Sequence, residues 1–344
     1  TSGKRGYLMS QAKTTEKAKL FDPFMADGGK EMRIVYVETL MELAETDDRI
    51  ILLDADLMSA HKTVNFKKRF PERGINMGVA EANMVGVSAG LSTQGKIPFP
   101  TTFACFATRR AFDQFFISAN YARQNVKLVG TDPGVSAEFN GGTHMPFEDI
   151  ALTRVIPDLV IVEPADEVAA ADIIHRLVDH QGCTYMRIQR KAAPRIYAEG
   201  EEFPLGKGKV VRDGSDITIV AAGSICLPES LKAAQMLEKE GVSVAVLDMY
   251  SIKPIDGDLL EEYARKTGAI MTCENHQVKN GLGSAVSDEL AERYPTLVVH
   301  HGVMDLFGEV GTVDYLMERF GLTAPQIADR VRETLRKKES LGKE

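Results

Sequence analysis

The sequence predicts an α/β protein of two domains, each a mainly parallel sheet flanked by helices, and three observations carry the prediction. Short apolar runs rich in β-branched residues alternate with longer helix-period segments along nearly the whole chain, the pattern of parallel strands covered on both faces. The length of 344 residues matches two domains at roughly 100 to 200 residues each. Near the middle, Arg195 to Asp213 carries Pro204, Gly206, Gly208 and alternating charges, which read as a linker rather than a packed element.

Residues 1–30 form a mostly polar N-terminal segment without the basic-then-apolar-then-small order of a signal peptide. The first domain, 31–195, carries candidate strands at Ile50 to Leu53, Ile97 to Phe99, Val126 to Val129, Leu159 to Val162 and Tyr185 to Ile188. Helical periodicity runs through Ile34 to Leu43, Ala80 to Leu91, Arg109 to Tyr121 and Glu167 to Val178. After the linker at 196–213, the smaller domain at 214–340 offers strands at Ile217 to Ala221, Val242 to Leu247, Ala269 to Thr272 and Leu297 to Val299. Glu229 to Glu240 and Leu259 to Lys266 read as amphipathic helices between them.

Composition removes several function classes. Forty-one Lys+Arg against 49 Asp+Glu leave a net charge of −8, so no basic field favours nucleic acid and any anionic ligand must be met by locally placed arginines. The longest weakly charged stretches, such as Ala82 to Gly95, fall short of the ~18 apolar residues of a membrane span. Cys105, Cys183, Cys226 and Cys273 lie far apart with no zinc-type spacing. They read as reduced core thiols of a cytoplasmic protein, and no metal ligated by this chain is expected.

Ligands of open α/β sheets bind beyond the carboxyl ends of strands, which singles out Asp54 to Asp56, Thr101 to Phe103, Thr131 to His144 and Arg187 to Arg190. Glu81 is an acid among small and apolar residues at a loop-to-helix junction, in Met77-Gly-Val-Ala-Glu-Ala-Asn-Met. Desolvated there, it would share a proton with a ligand nitrogen; the plain alternative is an acid favoured in a first helical turn. Phe103 and Phe106 either clamp a flat heteroaromatic ring or simply fill the core. His144, in Gly141-Gly-Thr-His, sits on a glycine turn where an imidazole can move protons near neutral pH. His61 is an undecided loop residue, and His276 a candidate for the contact between domains.

Together, Gly74-Ile-Asn-Met-Gly-Val-Ala-Glu81, Thr102-Phe-Ala-Cys-Phe106, Gly142-Thr-His144, Met249-Tyr-Ser-Ile-Lys-Pro254, Glu274-Asn-His276, Gly281-Leu-Gly-Ser-Ala285 and Phe307-Gly-Glu-Val-Gly311 resemble, in that order, the carboxyl-terminal half of a transketolase, over about residues 33 to 335. The resemblance implies a pyrimidine-binding domain followed by a transketolase C-terminal domain, and a transferase that moves a two-carbon ketol unit from a ketose to an aldose. It implies thiamine diphosphate and Mg²⁺ as cofactors. The family holds the diphosphate and metal through a Gly-Asp-Gly segment, and no Gly-Asp-Gly occurs in this sequence. A split enzyme follows, in which a separate N-terminal transketolase subunit supplies that site in an α2β2 assembly.

By the same resemblance Glu81 holds the aminopyrimidine nitrogen and promotes cofactor activation. Phe106 stacks on the pyrimidine with Phe103 beside it, Asp56 lies near the cofactor, and His144 faces the ketose. Arg33 and Arg187 match the family's sugar-phosphate arginines. Four positions depart from the family pattern: Arg109 for a Tyr beside the pyrimidine, Asn140 for an Asp that reads a donor hydroxyl, Asp132 for a phosphate-binding His, and Ala60 for a Ser. With His61, Asp132 and Asn140 on the substrate side, these departures point to a modified or branched ketose with a shifted anionic group. The alternatives are the β subunit of a 2-oxo-acid dehydrogenase and a deoxyxylulose-phosphate-synthase-like enzyme.

Overall fold

The computed structural model describes residues 17–22, 24–25 and 28–342. Most of the polar segment 1–30 therefore lies outside the described residues. Its described part pairs with the body through bridges Lys17 to Val210 and Leu20 to Tyr197.

Two mainly parallel sheets flanked by helices make up the fold. The first contains β1 (Ile50–Asp54), β2 (Gly74–Asn76), β3 (Ile97–Phe103), β4 (Lys127–Thr131), β5 (Val160–Val162) and β6 (Thr184–Ile188). The second contains β7 (Lys209–Arg212), β8 (Ile217–Ala221), β9 (Val244–Asp248), β11 (Ala269–Gln277) and β12 (Leu297–Val303). The remaining strand, β10 (Ser251–Lys253), crosses over and completes the first sheet in the order β10-β5-β6-β4-β3-β1-β2. Every residue of β1, β3, β4, β5 and β6 is buried, because helices cover both faces of a parallel sheet and leave no solvated side.

Four local features differ from the sequence expectation. The interval read as a linker contributes β7, antiparallel to β9. It also buries Tyr197 and Phe203, whose rings meet edge to face at 4.8 Å, with Phe203 meeting Tyr250 in the same way at 5.1 Å. Pro and Gly set its turns while two aromatic side chains pack it down. Strands β2 and β10, three residues each, are too short to leave a periodic signal. The helix expected over Arg109 to Tyr121 forms instead as two π-helical pieces, Phe106–Arg110 and Gln114–Tyr121, a conformation often found at functional sites.

The two sheets are stapled together by side chains from β11. Asn275 donates from Nδ2 to Pro133 O (3.0 Å) and accepts the Val135 N–H at Oδ1 (2.9 Å). A Cβ on Gly134 would lie 2.1 Å from that oxygen, so only glycine fits beneath it. His276 accepts the Ala151 N–H at Nε2 (3.3 Å), and burial lowers its pKa to about 4, which keeps it neutral. Glu274 accepts the first two N–H groups of the helix Leu282–Arg293 at 2.6 and 2.9 Å. Burial nevertheless pushes its pKa up to about 8.

Candidate active site

Beyond the carboxyl ends of β1, β3, β4 and β6 the chain forms a continuous row of rings and charges. Glu81 opens the helix Glu81–Thr93 with no side-chain N-cap above it. The loop leading to it is knit to Asp56: the Asn76 amide donates to Asp56 Oδ1 (2.9 Å), and Asn76 Oδ1 accepts the N–H groups of Asp56 (3.1 Å) and Gly78 (3.0 Å). Glu81 is 2% exposed, and the Arg110 guanidinium answers its charge, Nη1 reaching both carboxylate oxygens at 3.1 and 2.9 Å. Arg110 also lies over Phe106, its Cζ 4.2 Å from the ring centroid. Both arginine and ring stand on the π-helical turn after β3, four residues apart.

From Phe106 the row continues inward. His144 meets Phe106 at 5.0 Å and Phe103 at 5.9 Å, both near perpendicular. Phe103 meets the buried imidazole of His61 edge on at 5.7 Å. His61 is held at both nitrogens, by Asp54 Oδ2 (2.9 Å) and by the Thr131 hydroxyl (3.0 Å), so it buttresses Phe103 and has no nitrogen to spare. Arg190 also lies over Phe103, 5.2 Å from the ring centroid and in an ion pair with the buried Asp132. Arg33 stands beside it, donating to Ala60 O (2.8 Å) and paired with Glu31.

The loop that carries His144 is fixed by close backbone contact with the second half of the chain. A Cβ on Gly142 would lie 2.3 Å from Gly308 O, and one on Gly308 would lie 2.7 Å from Met145 Cβ. Neither position admits a side chain, which explains the glycines of Gly141-Gly-Thr-His and Phe307-Gly. Phe307, 95% exposed, stands next to this contact.

Family profiles match the chain over residues 29–195, as "Transketolase, pyrimidine binding domain", and over 206–327, as "Transketolase, C-terminal domain". The chain belongs to the transketolase family. It is 46% identical over 307 residues to the 6-deoxy-6-sulfo-D-fructose transketolase subunit SqwH of Clostridium sp. (strain MSTE9), covering 89% of this chain and 95% of that one. A solved structure described as "Split gene transketolase, inactive beta4 tetramer" matches with TM-score 0.83 and 44% identity, covering 90% of this chain and 99% of the other. Against the transketolase of Homo sapiens the identity is 36% over 309 residues, 89% of this chain but 49% of the human one.

On this transketolase frame, the expected site residues fall into two groups. Glu81, Phe103, Phe106, His144, Asp132 and Arg33 lie along one row, with Asp56 tied to the loop before Glu81. Asn140 is exposed at the end of Gly134–Asn140, a 3₁₀ stretch broken by a kink at Glu138. Arg187 corrects the expectation of a phosphate ligand. It is fully buried, donating to Asp149 Oδ2 (2.6 Å) and Oδ1 (3.1 Å), Glu163 Oε2 (2.6 Å) and Asn275 O (3.1 Å). Four of its five N–H donors are taken, and the residue clamps β6 to β11. Arg109 also turns away from the rings, donating to Thr143 O (2.7 Å) and pairing with Glu148, so it steadies the His144 loop.

Sequence reasoning missed Arg110, and it gave no role to Arg190, although that residue lies in the singled-out segment Arg187 to Arg190. Arg190 follows β6 by two residues, whereas Arg187 lies inside that strand. The rule placing ligands beyond strand ends favours the former. Arg110 was detectable only as a cation four residues after a ring, a pairing that helical geometry makes a contact.

Proposed function

We propose that this chain is the pyrimidine-binding subunit of a cytoplasmic split transketolase, active in an α2β2 assembly with a partner carrying the diphosphate and Mg²⁺ site. The assembly moves a two-carbon ketol unit from a ketose to an aldose phosphate. The observation that carries the reading is the buried Glu81 carboxylate at a helix start, joined through Arg110 to Phe106, whose ring in turn meets His144. Two relatives are named as transketolase subunits, and a β-only relative is described as inactive. Each supports dependence on a second chain.

The residues present fit the aminopyrimidine of thiamine diphosphate. The Arg110 guanidinium, itself planar, donates N–H to both Glu81 oxygens and lies over Phe106, so the space between this carboxylate and this ring accepts an N–H donor. Glu81 would take the pyrimidine nitrogen in place of Arg110, with Phe106 and Phe103 against the ring. When bound, thiamine diphosphate supplies the electron sink that lets the bond beside a ketose carbonyl break and re-form. Glu81 holds a shared proton at the ring nitrogen, and its burial keeps water from competing for that bond. His144 orients a donor hydroxyl and exchanges its proton through the ring nitrogen that faces it. Arg33 and Arg190 bind the anionic end of the sugar by charge-assisted hydrogen bonds. The SqwH relative, named for a sulfo-sugar, supports a donor that bears an unusual terminal anion.

The test is to co-express the chain with a Gly-Asp-Gly transketolase subunit, add thiamine diphosphate and Mg²⁺, and follow aldose release from a panel of ketose phosphates and modified ketoses. Release requiring both chains is the expected result. Decarboxylation of a 2-oxo acid without aldose release would overturn it.

A further inference from the structure

We propose that Asp132 is a specificity-determining residue that makes the enzyme favour a ketose ending in a singly charged anion, of the sulfonate class, over a doubly charged phosphate ester. The inference rests on the reading of the chain as a ketol-transfer subunit. Arg33, Arg190 and Lys191 line a cavity of about 180 Å³ together with Glu31, Asp132 and Glu138. Each cation has its own carboxylate: Arg33 donates to Glu31 at 2.8 and 3.0 Å, Lys191 to Glu138 at 2.7 Å, and Arg190 is paired with Asp132. Three positive and three negative groups leave this cavity formally neutral, unlike the strongly cationic pocket that suits a dianion.

The three carboxylates are not equivalent. The Glu31 side chain is 38% exposed and the Glu138 side chain 16%, so each can swing toward water when an anion arrives. The Asp132 side chain is 4% exposed and cannot. Its backbone N–H donates to Ile188 O (3.1 Å), its φ is +52°, and Oδ1 accepts the Arg190 N–H at 3.3 Å. Burial pushes the carboxyl above the ordinary range, while the Arg190 guanidinium and the His61 imidazole oppose that shift and favour the anion.

A ligand anion that reaches Arg190 therefore shares it with a fixed negative charge. A phosphate monoester carries about −1.5 to −2 at neutral pH, and a sulfonate carries a single charge. The repulsion from Asp132 is correspondingly larger for the ester, and discrimination of this kind works by penalising the wrong ligand. Position reinforces the assignment, since Arg190 lies over Phe103, whose ring meets His144. The anion pocket is thus one ring away from the group assigned to the donor hydroxyl.

The experiment compares kcat/KM for 6-deoxy-6-sulfofructose and fructose 6-phosphate, using the two-chain assembly with thiamine diphosphate and Mg²⁺. Wild type is expected to favour the sulfonate by about tenfold or more, and Asp132→Asn and Asp132→His to shift the ratio toward the phosphate by about tenfold, mainly through KM. Turnover of both donors with an unchanged ratio in both variants overturns the role of Asp132. If wild type turns over neither donor nor any other ketose, the ketol-transfer reading fails and this inference falls with it. A second readout needs no variant: methanesulfonate must inhibit the wild-type assembly more strongly than methyl phosphate, and the opposite order overturns the proposal.

Discussion

Two arginines three residues apart, Arg187 and Arg190, meet carboxylates in opposite settings. Arg187 is sealed between the sheets, its donors taken by Asp149, Glu163 and a backbone carbonyl. Burial and the neighbouring carboxylates act against one another on its pKa, and the net direction is upward, so it stays charged. Arg190 stands at the mouth of a cavity with a 22% exposed side chain and one carboxylate. The same pair of residue types is a rivet in one place and a ligand handle in the other. What separates them is whether water or a ligand can reach the guanidinium, and that is decided by β6 ending at Ile188.

Breaking the rivet should have the largest effect. Arg187→Met leaves Asp149 and Glu163 buried without their counter-charge, and such a loss costs about 3 to 5 kcal/mol. Urea unfolding should register that loss directly. An unchanged midpoint would mean that the cluster relaxes or takes up water. The next effect is on the loop joining the two regions. Gly142→Ala places a Cβ against Gly308 O and should cost about 1 to 3 kcal/mol, with kcat falling as His144 shifts; a crystal structure of the variant with the loop unmoved would contradict this.

A smaller effect is expected from Arg110, whose side chain is 48% exposed, so that its pairing with Glu81 is screened. Arg110→Ala removes the group paired with Glu81, where the proposed function would seat the pyrimidine, and exposed pairs contribute roughly 0.2 to 1 kcal/mol. Calorimetric titration of thiamine diphosphate into the assembly should give a Kd lower by a few-fold. Weaker binding would show that Arg110 helps to hold the cofactor rather than standing in its place.

The most gradual effect is with pH. Burial pushes the carboxyl of Asp248, bonded by the Tyr197 hydroxyl at 2.6 Å, and that of Glu274 up to about 8. Such groups hold protons in the fold that the unfolded chain has released, so stability is full below their unfolded pKa and is lost as pH rises toward 8. His276, lowered to about 4, acts oppositely only below its unfolded pKa near 6.5. Between pH 6.5 and about 7 the free energy of unfolding should therefore fall, by at most about 1.4 kcal/mol per pH unit per group, and above 7 the fall is partly offset by Lys127, whose pKa burial lowers to about 7. Asp248→Asn should flatten that slope, measured by urea unfolding at several pH values.

The sequence was most legible where a chemical residue stands just past an apolar run. Strand alternation made the two sheets readable, and Glu81, Phe103, Phe106 and His144 could be picked out by type and place. What stayed hidden depends on contacts between distant segments. The choice between Arg187 and Arg190 turned on where one strand ends, and the pairing of Arg110 with Glu81 joins residues 29 positions apart. The packed state of the linker came from Tyr197 and Phe203 finding Tyr250, which no local signal announces. Asp132 was visible as a departure, but the charge balance around it depends on Arg33 and Lys191 each having a carboxylate of its own.

The central claim is that the buried Glu81 carboxylate serves the cofactor's pyrimidine, and one measurement addresses it whatever the sugar substrate is. Deuterium exchange at the thiazolium C2 position of thiamine diphosphate can be followed by NMR in the two-chain assembly carrying wild type or Glu81→Gln. With cofactor binding verified by titration, exchange should be slower in Glu81→Gln by about 10² to 10⁴. Equal rates in the two assemblies would contradict the claim and return Glu81 to the role of an acid in a first helical turn.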